Sequence, residues 1–257
     1  MEDRNRRRGR YLALDELRGL VFISMVLYHG MWDLVYMFGH EIAWYEGTAG
    51  YVWQQSICWC FILLSGFCWA FGRNKYRHAG LVFGAGFLVT LMTCLFLPED
   101  RVVFGVLTFL GTAAFLTTLL QPLLSRCRPA PGLIASIILF VFTRNVNVGF
   151  LGFEEWRLLK LPEGLYDNFV TAFLGFPPGD FYSTDYFSLI PWLFLFLSGY
   201  FLYRCVMCPQ KEEPLHFLKR GRASALRWIG QRSLLLYLLH QPALYVLLHL
   251  WAWYFDK

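Results

Sequence analysis

Apolar runs of about twenty residues, separated by short charged connectors, recur along the whole chain. They cover residues 12–38, 51–72, 79–97, 102–124, 133–153, 186–207 and 225–254. A helix crossing a bilayer needs about 20 predominantly apolar residues. The pattern therefore predicts an all-α polytopic membrane protein with about seven transmembrane helices. Pro191 marks a bend in the sixth run, and Pro242 loosens the backbone ladder of the seventh. Residues 152–183 read as a connector, and within it EEWRLLKL reads as a short interfacial helix. No internal repeat stands out. The chain reads as one membrane domain over residues 1–257, opening with a basic tail over residues 1–11.

The first run is interrupted by polar groups at a regular spacing. Arg18, His29 and His40 are eleven residues apart. Eleven residues turn an α-helix by about 1100°, about 20° beyond three full turns, and advance it by about 16 Å. A continuous helix would carry the three as one stripe through most of the membrane. Asp33 lies one turn after His29, on the same face. A charge or imidazole in a spanning helix is costly in lipid and turns to a protein interior or a watery cavity.

Composition agrees with the spans. The chain is 57% hydrophobic and 16% charged, against about 45–50% and 25% in soluble domains. The net charge of +5 is modest, and the basic residues sit in connectors, which argues for topology marking and against nucleic-acid binding. Arg4 to Arg10, Arg73, Lys75, Arg77, Arg126, Arg128, Lys211, Lys219, Arg220 and Arg222 fall on one side. Glu41, Glu46, Glu99 and Asp100 fall on the other, with Arg101 the exception. This places the N-terminus inside and the C-terminus outside. Arg18, Arg232 and Ser233 then lie toward the inner side, and Arg73 in an inner connector. His29, His240 and Gln241 lie deeper, and His40, Arg144, Asn145 and Asp185 toward the outer side. Seven cysteines read as small apolar filler, because a C-x-C pair on a helix points its thiols about 200° apart; no metal site is expected. Gly66, Gly84, Gly86, Gly111 and Gly199 read as helix-packing contacts.

A basic inner mouth with histidines at mid-depth and at the outer end suits an anionic donor taken from the cytoplasm. Its reactive end would be presented to an acceptor beyond the membrane, with histidine as the base. Periodicity fits a transporter or flippase for a sugar or lipid-linked anion equally well. Structural readings stand beside the functional ones: Arg18 reaching lipid phosphates, His29 as a core histidine, Arg144 in an ion pair with Asp33 or Asp185.

Three stretches, LDELRGLVFISMVLYH followed by Asp33, STDYFSLIPWLFLFLSGY and IGQRSLLLYLLHQP, resemble the small bacterial membrane proteins grouped with the catalytic domain of heparan-alpha-glucosaminide N-acetyltransferase. The resemblance spans essentially the whole chain. It implies an enzyme of the bacterial cytoplasmic membrane that moves an acetyl group from cytosolic acetyl-CoA to an amine or hydroxyl of an extracytoplasmic sugar or glycan. His40 matches the histidine regarded as catalytic in the lysosomal relatives. His29 stands where those relatives have an asparagine, and matches the intramembrane histidine of other sugar acyltransferases. Both are carried as catalytic candidates, with Asp33 fixing the tautomer of His29. Arg18, Arg73, Arg232 and Ser233 are assigned to CoA. Arg144, Asn145, Asp185, His240 and Gln241 are assigned to the acceptor. The chain has about four fewer spans than the lysosomal enzyme, which leaves the acceptor open. Membrane lipids are the expected surroundings, and a homodimer stays open.

Overall fold

The computed structural model describes residues 11–207, 216–219 and 221–255. The basic tail from Arg4 to Arg10, Lys211, Arg220 and Cys208 lie outside the described residues. Among the described residues the protein is all-α apart from one hairpin, and the chain divides into two compact units, residues 1–61 with 211–257, and residues 62–210.

The first unit starts with α1 (Leu12–Trp32), extended by a π-helical turn (Asp33–Met37), and a short α2 (Ala43–Glu46). It takes in the start of α3 (Thr48–Trp69), then α10 (Ser224–Gln231) and α11 (Ser233–Phe255). Val21, Phe22, Met25 and Ile57 form its buried core, with Trp53, Ile229, Leu236 and Tyr237 packed around it. Helices α1 and α10 meet backbone to backbone. A Cβ on Gly19 would stand 2.0 Å from the Leu226 carbonyl oxygen, and one on Gly230 would stand 1.9 Å from that of Asp15. Only hydrogen side chains allow this approach.

The second unit holds the end of α3, α4 (Lys75–Phe96), α5 (Val106–Leu119), α6 (Gln121–Leu124) and α7 (Pro129–Thr143). Strands β1 (Phe150–Phe153) and β2 (Trp156–Lys160), α8 (Phe169–Leu174) and α9 (Leu189–Val206) complete it. Close backbone approach recurs at Gly66, Gly86, Gly111 and Gly199, whereas Gly84 faces open space.

Six described helices are long and apolar enough to cross a membrane: α1 with its turn, α3, α4, α7 with the turn after it, α9 and α11. Their outer faces carry exposed apolar residues such as Phe87, Leu91, Leu95, Ile134, Ile138, Leu235 and Leu250, a surface that lipid covers. The fourth run yields the shorter α5 of 14 residues, about 21 Å long. Its N-terminal part is held as a loop by residues 183–187, and Leu120 interrupts it just before α6, with Pro122 in that helix's first turn.

Four expectations are corrected. The stripe of Arg18, His29 and His40 is not one helix. The π-turn shifts the register, and Gly39, with φ +72, ends the run before His40. The seventh run is two helices, broken at Arg232 (φ −111, ψ 14), although Pro242 is carried inside α11. The fifth run ends as helix at Thr143, and residues 150–153 become β1. EEWRLLKL is not an interfacial helix. Gly149, Gly152 and Glu154 at positive φ turn the chain back, so Trp156–Lys160 pairs antiparallel with β1. Pro191 does bend its span: Ile190 leaves helical geometry, and the Ile190–Pro191 peptide is cis.

Gly230→Ala should destabilise the protein by about 1–3 kcal/mol through the clash with Asp15. Gly84→Ala, mid-helix and open, should be neutral or slightly stabilising. Thermal unfolding of both variants in detergent checks this.

Candidate functional site

The first unit gathers four of the candidate residues. Asp33 is fully buried at the start of the π-turn, and its Oδ1 accepts a 2.7 Å hydrogen bond from Gln241 Nε2 on α11. His29, one turn earlier on α1, and His240, next to Gln241, face each other with ring centroids 5.0 Å apart at 60°. The His240 ring also lies edge-on to Phe22, at 6.4 Å. His240 Nδ1 lies 2.5 Å from the Tyr237 carbonyl oxygen, one turn back. A carbonyl only accepts, so Nδ1 carries the proton and donates it. His240 Nε2 is buried and has no hydrogen-bond partner among the described residues.

An aromatic group flanks His29. The Tyr28 ring lies 6.2 Å from His29, 5.0 Å from Tyr45 and 5.3 Å from Trp53. Tyr45 donates to the Tyr28 carbonyl at 3.2 Å, and burial pushes its phenol well above the usual tyrosine range. Trp53 Nε1 donates to Ser24 Oγ at 2.8 Å.

The other candidates of this unit have separate surroundings. Arg18 pairs with buried Asp15 at 3.5 Å, and Asp15 also accepts from Gln231 Nε2 at 3.2 Å. Glu16 Oε1 accepts from the Ala223 N–H at 3.0 Å. Arg232, at the break between α10 and α11, lies over the Trp228 ring at 4.6 Å, and Ser233 opens α11. His40 is exposed, 6.4 Å from Trp251.

In the second unit, Arg144 pairs with Glu154 at 3.5 Å and lies 5.0 Å over Trp192. Asn145 donates from Nδ2 to the carbonyls of Glu154 (2.8 Å) and Trp156 (3.4 Å). Together they pin the hairpin. Asn147 donates to the Gly175 carbonyl and to Ser188 Oγ. Tyr166 donates to the Val146 carbonyl at 2.6 Å, and burial raises its pKa. Asp185 Oδ2 accepts from the Val106 N–H at 3.1 Å and so caps α5. Beside it, Ser183 Oγ accepts from the Val103 N–H, and Thr184 holds the carbonyls of Asp100 and Arg101. Arg73 lines a shallow cavity of about 340 Å³ with Arg77, His78 and Asn74.

Sequence reasoning left out Asp15, Glu16 and Gln231, which hold α1 to α10. The i,i+3 spacing of Asp15 and Arg18 was a readable signal for one of them.

Half-buried imidazoles and a buried carboxylate among helices long and apolar enough to span a membrane mark a polytopic membrane protein with a polar centre. The family model described as "Heparan-alpha-glucosaminide N-acetyltransferase, catalytic" matches residues 10–242. The chain belongs to this family, a family of membrane acetyltransferases. Comparisons with curated proteins and with solved structures find no match.

If Asp185 serves as the cap of α5, Asp185→Ala should cost about 1 kcal/mol and Asp185→Asn less. Thermal unfolding, with faster amide exchange at Val106 in the alanine variant, checks this. Unchanged stability and exchange would contradict the cap.

Proposed function

We propose that the protein transfers an acetyl group from cytosolic acetyl-CoA to an amine or hydroxyl of a sugar or glycan on the far side of a bacterial cytoplasmic membrane. The observation that carries this reading is the His29–His240 imidazole pair beside the Asp33–Gln241 hydrogen bond, in a chain of this acetyltransferase family. Acyl transfer needs a base for the acceptor's proton, donors for the developing oxyanion, and a site for an anionic donor.

An unprotonated imidazole of the pair takes the proton while the acceptor attacks the thioester carbon. Gln241 keeps a second amide proton beyond the one given to Asp33, and in this reading that proton goes to the oxyanion. Arg18, Arg232 and Ser233, all in the first unit, are the groups for the CoA phosphates. His40 on its exposed connector is assigned to the incoming acceptor. Arg144, Asn145 and Asp185 shape the outer connector, through the hairpin and the cap of α5. The competing reading, a transporter of a sugar or lipid-linked anion, is favoured by the π-helical turn at Asp33 and the helix break at Arg232.

Purified protein in nanodiscs, given acetyl-CoA and a panel of amino sugars and membrane glycan extracts, should release CoA only when an acceptor is present. Replacing both His29 and His240 by alanine should lower the rate by about 10²–10⁴. Absence of acetyl-CoA turnover by folded protein, with sugar flux across proteoliposomes, would overturn the acetyltransferase and establish the transporter.

A further inference from the structure

The two histidines of the pair are not equivalent. His240 folds its ring back along α11 so that Nδ1–H is spent on the Tyr237 carbonyl, at 2.5 Å. In the neutral ring this fixes the tautomer and leaves the lone pair on Nε2. Nε2 is buried, and no described residue gives it a hydrogen bond. A buried acceptor without a donor is a standing cost of about 1–3 kcal/mol. It is sustained where the atom has work to do. Phe22 edge-on at 6.4 Å and Tyr237 at 5.1 Å pack against the ring. The neighbouring His29 is half-buried. Pro242, two residues on, lacks the N–H that would bond the Leu238 carbonyl, which loosens α11 beside the ring.

We infer that Nε2 of His240 is the proton acceptor of the transfer reaction, with the Tyr237 carbonyl in the orienting role that a carboxylate plays in hydrolase triads. This rests on the acetyltransferase reading and assigns the base within it. The acceptor's N–H or O–H proton moves to Nε2 as its lone pair bonds the thioester carbonyl carbon. Collapse of the tetrahedral species breaks the C–S bond, and the CoA thiolate takes the proton from the imidazolium. The products are the acetylated acceptor, CoA thiol and the neutral ring in its starting tautomer. His29, ring to ring with His240, is left to hold the acceptor or the carbonyl oxygen.

The test combines chemical rescue with a tautomer measurement. His240→Gly should lower kcat at least 100-fold with the KM for acetyl-CoA changed by less than about threefold, and added imidazole should restore at least tenfold of the loss. The His29→Gly variant should not be rescued. Nitrogen-15 NMR of labelled wild-type protein should show His240 as the Nδ1–H tautomer, a readout independent of turnover. Rescue of His29→Gly but not of His240→Gly, retention of more than a tenth of kcat by His240→Gly, or an Nε2–H tautomer would each overturn the assignment. Wild-type protein that turns over no acetyl-CoA would instead overturn the reading beneath it.

Discussion

One hydrogen bond organises the first unit: Gln241 Nε2 to Asp33 Oδ1, 2.7 Å long, with the carboxyl group wholly out of solvent. Neither group tolerates lipid alone, and losing Gln241 takes a hydrogen bond from the fully buried Asp33. The geometry of the helices turns this tie into a site. His29 is one turn before Asp33, and His240 is adjacent to Gln241. Joining 33 to 241 therefore brings the two imidazoles together edge to face, 5.0 Å between ring centroids. The close approach of Gly19 and Gly230 to the opposing backbones holds α10 against α1 at the same time.

The stretches that resemble the acetyltransferase family have mechanical roles in this architecture. In LDELRG, Asp15 holds Arg18 and Gln231, Glu16 holds the Ala223 amide, and Gly19 admits α10. In IGQRS, Gly230 and Gln231 supply the matching half. In STDYFSL, Ser183, Thr184 and Asp185 latch the loop ahead of α5 and cap that helix, and Ser188 meets Asn147. Motif residues thus divide into those that fix the helices and those, at 29, 33, 240 and 241, that form the polar centre.

Much of this was legible in the chain. Run length gave the spanning helices, and the i,i+4 spacing of His29 and Asp33 put both on one face. The pairing of α1 with α11 was not legible, because nothing in a sequence says which spans are neighbours. The π-turn was hidden for a different reason: DLVYM has the same apolar character as the helix before it, so periodicity carried the stripe on to His40. Gly149 and Gly152 were visible, yet the hairpin was read as a helix because the pattern of WRLLK suits either. Asn145 was assigned to the acceptor. Its amide protons are engaged by the hairpin carbonyls, which only coordinates reveal. The tautomer of His240 depends on a main-chain carbonyl three residues away, a contact with no side-chain signature.

The central claim is that chemistry occurs at the joint between α1 and α11. The direct measurement is a structure with a nonreactive acetyl-CoA analogue, its thioester sulfur replaced by methylene. A base reaches its acceptor at about 3 Å, and the acceptor stands about 3–3.5 Å from the carbonyl carbon. The account therefore predicts the analogue's ketone carbon within about 6 Å of His240 Nε2. A ketone bound anywhere else, with the joint closed as before, would contradict it.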